Sequence, residues 1–504
     1  MSYELVWFKR DLRWEDHAAL VHAAKRGPIR CIYVIEPSLW QQPDMALGHF
    51  MFIAESLVDL DAELRKQGGG LEVFTGEVID ILERLWQSQP FTGLHSHEET
   101  GNQSTHDRDR RVGRWCRDHQ IGWHEYPQFG VVRRLKNRNA WQSAWERHMA
   151  SSLEMVPKLT FWNDSTPLLP EINPPTHLQH DPPKRQRGGR ILALQTLDDF
   201  LMCRSQRYRG GISSPVTAPQ ACSRISTYLA YGCLSMREVV SRTRARLLEE
   251  GISSSQKAGL RAFLSRLYWH CHFIQKLESE PEIEWRNMHR GYDGLREDDF
   301  NHEHFEALKA ARTGWPMVDA CVMMLRQTGW LNFRMRAMLV SVAAYPLWLH
   351  WRPVGEWLAT QFLDYEPGIH WSQLQMQSGT TGINTTRVYN PIKQAMDHDP
   401  MGEFVRTWLP AMRKVPDTYL FEPWNMPKAL QDQLGVRVGV EIALPIVDLA
   451  SATREAKSRL YGRRQQAEVR IAKQAVLEKH GSRKTMRRTK AKGAPVNTQL
   501  GFDF

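Results

Sequence analysis

The stretch ELVWFKRDLRWEDHAALVHAAKRGPIRCIYVIE, residues 4–36, places an amphipathic segment between two short apolar runs. ELVWF and RCIYVIE have the β-branched and aromatic content of buried strands, and DHAALVHAAKR between them has helical spacing. The alternation continues, with GHFMFIAESLVDLDAELRKQ (48–67) and VIDILERLWQSQ (78–89) as helices and LEVFTGE (71–77) and GLHSH (93–97) as strands. Strands that alternate with helices predict a parallel sheet covered by helices, so residues 1–130 are expected to form a Rossmann-like α/β domain. No GxGxxG occurs there, and the usual fingerprint of a nicotinamide dinucleotide site is missing.

Beyond this region the pattern changes. In residues 131–195, Pro157, Pro167, Pro170, Pro174, Pro175, Pro182 and Pro183 break regular elements, and DPPKRQRGGR (181–190) reads as exposed connector. Residues 196–450 are helical in pattern and rich in Trp and Met, which predicts an all-α second domain. The apolar run from Ala337 to Trp351 contains Pro346 and His350 and is too short for a bilayer, so it is expected to be a buried helix.

A chain of 504 residues with 42% apolar content and 19 Trp can bury a large core. Its 7 cysteines include no CxxC pair, the usage of a reduced compartment without a disulfide framework or thiolate cluster. The opening MSYELVWFKRDLRWED has charges where a leader needs an apolar run, so a cytoplasmic protein without a membrane segment is expected. The net charge of +10 is unevenly placed: residues 451–504 hold 14 Lys and Arg against 4 Asp and Glu, while the whole chain holds 66 against 56. The first 450 residues are therefore neutral, and the basicity belongs to the tail. Within it, residues 452–481 read as a charged surface helix, and residues 482–504 have too little apolar surface to fold alone.

SRLYWHCHF (265–273) offers His270, Cys271 and His272 in a row. Apolar residues at Phe263, Leu264, Leu267, Tyr268, Phe273, Ile274 and Leu277 give the segment helical spacing. On a helix His270 and His272 point roughly 200° apart, so they cannot hold one ion together. No metal is expected.

Four segments, in order, resemble the photolyase/cryptochrome superfamily across roughly residues 3–430. They are VWFKRDLRWEDHAAL (6–20), ACSRISTYLAYGCLS (221–235), RTGWPMVDACVMMLRQTGWLNFRMR (312–336) and RVYNPIKQAMDHDPMGEFVRTWLPAM (387–412). The resemblance implies FAD bound in the helical domain beneath the α/β domain. It places Tyr208, Cys222, Ser223, Arg224, Ile225 and Ser226 near the cofactor, the short hydroxyls and the cation at a helix start that suits a pyrophosphate. Phe263, Trp330, Phe333, Arg336, Asp364, Tyr365, Glu366 and Gly368 are further implied cofactor contacts, with Arg336 and Asp364 matching a family charge pair under the flavin. Trp269 matches the aromatic on which photolyases stack an extruded base. His270 falls where they usually carry an Arg.

The pattern departs where repair chemistry belongs. Photolyases that split cyclobutane dimers place a Glu where this chain has Arg266, which can donate hydrogen bonds but cannot give up a proton near neutral pH. The His pair of (6-4) photolyases reads Phe333 and Ala337. DYEPGIHWSQLQMQSGTTG (364–382) is shorter than the usual pattern, so either Gly368 or His370 stands opposite flavin N5. The family's electron-transfer triad retains its middle Trp as Trp351, whereas its distal position is Leu308 and its proximal one Ser372 or Leu374. Trp371 is a substitute donor, relaying through Trp348, Trp351 or Trp357. Residues 95–115 fall where the family forms an antenna pocket, and a pterin, a deazaflavin or no pigment at all are equally open there.

The chain ends NTQLGFDF, and Gln499, Leu500, Phe502 and Phe504 resemble the short peptides by which bacterial repair proteins hold the sliding clamp. The resulting expectation is a monomeric blue-light DNA photolyase acting on UV-damaged DNA, with Arg266, Trp269, His270, Trp351 and Trp371 as its catalytic candidates. The alternatives are a cryptochrome photoreceptor without repair activity and a nucleic-acid-binding protein that keeps flavin as structure.

Overall fold

The computed structural model describes residues 2–163, 167–384 and 386–481. Five parallel strands, β1 (Glu4–Phe8), β2 (Ile29–Ile35), β3 (Leu71–Thr75), β4 (Gly93–His97) and β5 (Gly122–Tyr126), form one sheet in the order β3-β2-β1-β4-β5. The helices α1 (Ala18–Ala24), α2 (Leu47–Lys66), α3 (Val78–Ser88) and α4 (Gln103–Asp118) connect them. Side chains of β1 alternate between two cores, Val6 and Phe8 in one and Leu5 and Trp7 in the other, so both faces are dry and the run reads as continuously apolar. The fifth strand, GWHEY, carries no such run because it lies at the sheet edge, where Gly122 is exposed and the rest half-buried.

The connector is more ordered than its prolines imply. It contains a helix, α5 (Trp141–Ala150), and then lies against the sheet, with Ile29 N–H donating to Thr160 O and Trp162 N–H to Ile29 O, both at 2.9 Å. The carbonyls of Gln179 and His180 accept the first N–H groups of α2 from Leu47 and Gly48. DPPKRQRGGR, expected to be exposed, is pinned: Arg185 is buried against Glu55 at 2.9 Å, and Arg190 against Glu238 at 2.9 Å. Arg185 also has a local partner in Asp181, four residues earlier, but Glu55 and Glu238 lie on other elements, and nothing local in the sequence reveals those two.

The helical part is built around α6 (Ser254–Ser279), α7 (Pro316–Thr328), α8 (Phe333–Ala344), α9 (Trp351–Gln361) and α10 (Pro367–Ser378). The sheet core continues into it without a break, through Tyr228, Tyr231, Phe263 and Leu267. The apolar run 337–351 is buried as expected, but its helix ends at Ala344, before Pro346. The expected charged tail helix is two, α11 (Leu449–Gln465) and α12 (Ala467–His480), broken at the extended Gln466. They dock through Leu460 and Val469, beside Tyr292 and Tyr345, and through His480 and Lys479, 2.7 and 2.8 Å from Glu280. Gln499, Leu500, Phe502 and Phe504 lie outside the described residues. Among the described residues no helix is long and apolar enough to cross a membrane.

Candidate functional site

A cavity of about 330 Å³ opens between α6, α8, α10 and the segments around residues 208–226 and 362–366, a volume within the usual range of small-molecule sites. Tyr208, Cys222, Ser223, Arg224 and Ser226 line it, as do Arg266, Trp269 and His270 of α6. Trp330, Phe333, Arg336, Asp364, Tyr365 and Glu366 complete the set of expected residues that share this wall. They come from five separate stretches of chain, so the cavity exists only once the helices have packed.

Arg336 is fixed three times. Its Nε donates to Leu331 O at 2.6 Å, its Nη2 donates to Asp364 Oδ2 at 2.8 Å, and its guanidinium lies 4.1 Å from the Phe362 ring. Burial alone would raise the Asp364 carboxyl, but Arg336, with Ser226 and Arg224 behind it, outweighs burial and holds the group below the ordinary carboxylate value. Arg224 has left-handed backbone, φ 61°, and stacks 3.9 Å from the Trp330 ring. Burial lowers its pKa to about 10, so it stays charged near neutrality. Arg204 steadies this segment from behind by donating to the carbonyls of Cys222 and Ser223. A short helix does begin at Ser226, but its N-cap is Ile225 and no hydroxyl caps it.

Arg10, in the turn after β1, reaches the same wall. It donates to Ala230 O and Tyr365 O, both at 2.9 Å, and its guanidinium is 3.3 Å from Glu366 Oε2. Burial pushes the Glu366 carboxyl up against the pull of Arg10. The sequence resemblance marked this turn but gave no sign that Arg10 meets Glu366 across 356 positions. Asn332, Gln373 and Gln377 also line the cavity, unanticipated; their polar side chains among apolar neighbours were the available signal.

The three neighbours on α6 diverge. His270 opens on the cavity, and burial lowers its pKa to about 4, leaving a neutral ring. Cys271 is in the core, and His272 Nδ1 accepts from Arg138 at 2.6 Å. A second cluster, Asp11, His17 and His97, brings three potential ligand atoms together near the ends of β1 and β4. Its atoms are already committed. Asp11 Oδ2 accepts from both rings at 2.9 and 2.8 Å, and His17 Nδ1 accepts from Leu20 N–H, which fixes the His17 proton on Nε2. The trio ties α1 to β4.

Five expected site residues lie off the cavity wall. Ile225 is core, and Phe263 packs between Phe200 and Tyr208, 4.7 and 5.8 Å away. Gly368 serves a helix crossing: a Cβ there would fall 2.5 Å from Ile274 Cα, so α10 approaches α6 through it. His370, the other candidate for that place, lines the cavity. Trp371 and Trp351 form an edge-to-face pair 6.0 Å apart behind the wall, where Trp371 lies 5.0 Å from the His370 ring.

A smaller cavity of about 100 Å³ is lined by Trp7, Tyr33, Trp40, Asn102, Arg108 and Tyr365, among others. The expected antenna segment supplies Asn102 and Arg108 to it, and Arg108 is held by Glu36 and Glu99 at 3.1 and 2.6 Å.

Residues 4–133 match the DNA photolyase family model, and residues 263–462 match the model of the FAD-binding domain of DNA photolyase. A deoxyribodipyrimidine photo-lyase of Vibrio cholerae is 27% identical over 457 residues, covering 84% of this chain and 93% of that protein. A cryptochrome DASH of Gloeobacter violaceus is 26% identical over 473 residues, covering 88% and 93%. The crystal structure of a bacterial class III photolyase from Agrobacterium tumefaciens superposes with a TM-score of 0.80 at 24% identity, covering 92% of this chain and 98% of that one, and shows the same fold. The cavity fits a flavin dinucleotide in its chemistry. Asp364 Oδ1, Glu366 Oε1, His270 Nδ1 and Asn332 Oδ1 are buried without hydrogen-bond partners among the described residues, and flavin and ribityl polar groups can satisfy such atoms. Arg224 supplies a cation of the kind that a pyrophosphate calls for, and the Arg336–Asp364 pair stands apart from it on the same wall. By both domain models, by its relatives and by its fold, the chain belongs to the photolyase/cryptochrome superfamily.

Proposed function

We propose that the protein is a blue-light-driven, FAD-dependent DNA photolyase acting on UV pyrimidine lesions. The observation that carries this reading is that Trp269 and the Arg336–Asp364 pair line one cavity. A bound reduced flavin supplies a light-driven electron for breaking the lesion. Tyr208, Ser223, Arg224, Arg336 and Asp364 hold that cofactor. Trp269 offers its face to an extruded base, and apolar neighbours such as Phe273 and Ile369 share its wall. Arg266 stands beside Tyr208, whose phenol burial raises and Arg266 pulls back. There it donates to lesion carbonyls or to the backbone phosphate. His270, neutral near pH 7, presents Nδ1 without a partner among the described residues and can hydrogen-bond there. Trp371 and Trp351 form the electron route to the cofactor, and the basic tail adds affinity for DNA and holds the sliding clamp.

A second reading, a cryptochrome photoreceptor without repair, is favoured by Arg266, Phe333 and Ala337, which line the cavity where repair enzymes carry other residues. One assay separates them: reduced protein under blue light is given oligonucleotides bearing a cyclobutane dimer or a (6-4) product, and restored bases are scored. Repair of either lesion establishes the photolyase reading. Failure on both, with flavin bound and photoreducible, favours the photoreceptor.

A further inference from the structure

Tyr365 lines both cavities, and its phenol points away from solvent at a carboxylate of the N-terminal domain. The hydroxyl donates to Asp44 Oδ2 at 2.6 Å. Asn102 sits between this pair and Trp371: its amide nitrogen donates to Asp44 Oδ2 and to Tyr365 Oη, while its amide oxygen accepts the Trp371 indole N–H at 3.1 Å. The polar ends of Trp371 and Tyr365 are thus one amide apart. The ring of His370 touches both, with centroids 5.1 Å from Tyr365 and 5.0 Å from Trp371. Asp44, Asn102, Tyr365 and Trp371 are each at most 5% exposed.

The two aromatic residues differ in what their protons meet. The Trp371 N–H faces an amide oxygen, and the Trp351 N–H faces the amide oxygen of Asn287 at 2.8 Å; neither acceptor is a base. The Tyr365 O–H faces a carboxylate, whose other oxygen has no hydrogen-bond partner among the described residues. A phenol gives up an electron readily only when its proton leaves in the same step, and here the proton has 2.6 Å of hydrogen bond along which to leave.

Resting on the photochemical reading above, we infer that Tyr365 is an electron donor of the chain and Asp44 its proton acceptor. With an oxidised flavin held by the cavity residues and excited by light, Trp371 would supply it one electron and itself be left oxidised. Tyr365 then gives one electron to oxidised Trp371 while its O–H bond breaks and an O–H bond forms on Asp44. The products are restored Trp371, a neutral tyrosyl radical and a neutral Asp44 carboxylic acid. An external thiol returns one electron to Tyr365, becoming a thiyl radical as its own proton leaves to solvent, and Asp44 gives its proton back. The device holds the oxidising equivalent on a residue that cannot recombine until a proton also moves.

The test is electron paramagnetic resonance on flavin-loaded protein frozen under illumination, at equal bound flavin, for wild type, Asp44→Asn, Tyr365→Phe and Trp371→Phe. Asp44→Asn keeps the size and an acceptor for the phenol, so it covers the case in which Tyr365→Phe does not fold. The expected result is a tyrosyl signal in wild type, altered by ring-deuterated tyrosine, that drops on the order of tenfold in Asp44→Asn and vanishes in the other two. Slower appearance of the signal in heavy water is expected as well. Only a tryptophan radical in wild type, or a tyrosyl yield unchanged by Asp44→Asn, overturns the inference while leaving the photochemical reading intact. Wild-type protein whose flavin light does not reduce overturns both.

Discussion

The guanidinium of Arg10, in the turn after the first strand, lies 3.3 Å from the Glu366 carboxylate on the cavity wall. The same side chain donates to the carbonyls of Ala230 and Tyr365. One cation from the α/β part therefore satisfies three groups of the helical part, and it joins the sheet to the floor of the functional site.

Arg10→Met is expected to be strongly destabilising, because it strands a buried carboxylate and two carbonyls, at a cost of about 3–5 kcal/mol. Glu366→Gln removes the stranded charge, so the double variant should recover part of that loss. Urea unfolding of the four proteins gives the coupling between the two residues. Strictly additive losses would show that the pair has no energetic link.

Asp364→Asn should cost flavin more than fold. Its partner Arg336 keeps the bond to Leu331 O and the Phe362 face, so the backbone is held. The cofactor loses the full negative charge beside it, and FAD affinity should fall on the order of tenfold, about 1.4 kcal/mol. Visible absorbance per chain after gel filtration measures it. Unchanged FAD content would place the Asp364 charge outside the cofactor's environment.

Much of this organisation was legible in the sequence where it is local. Strand and helix periods located four of the five strands, and the resemblance collected fourteen residues that meet in one cavity. What escaped was relational. β5 escaped because an edge strand needs no apolar run. Arg10 escaped because its carboxylate partner, Glu366, lies far along the chain, and Arg185 because Asp181 is local but Glu55 is not. Gly368 and Phe263 fell within the right segments, but an α-helical or extended stretch presents neighbouring residues to different surroundings, and only packing decides which face meets the cavity.

Gly368→Ala separates packing from cofactor contact. The added methyl must push against the Ile274 backbone, and overpacking at such a crossing costs about 1–3 kcal/mol. Denaturant midpoints should shift by that amount while the FAD affinity of folded protein stays put. Loss of FAD affinity at unchanged stability would return Gly368 to the cofactor.

Trp269→Ala should spare flavin binding and weaken lesion recognition. Base stacking on an aromatic is worth about 1–3 kcal/mol, so affinity for a dimer-containing oligonucleotide should drop at least several-fold while undamaged DNA binds as before. Fluorescence anisotropy with both oligonucleotides reads this directly, and an equal loss for the two would make Trp269 a general structural residue.

Lys276 gives the fold a pH dependence with a definite sign. Its ammonium is buried over the Phe273 ring at 5.1 Å, and burial, with Arg138 adding repulsion, lowers its pKa from 10.5 to about 7. Between those values the unfolded chain holds a proton that the native protein lacks, so stability rises with pH across the window and the full penalty applies below it. His272 and His480 face the same ammonium, but burial holds both below the ordinary imidazole value, so they titrate beneath this window. Lys276→Met keeps the aliphatic bulk and removes the charge. The variant should exceed wild type by about 2–4 kcal/mol near pH 6 and converge with it toward pH 10. Urea midpoints measured across that range decide the matter, since a constant offset between the two proteins would mean that Lys276 keeps its proton in the folded state.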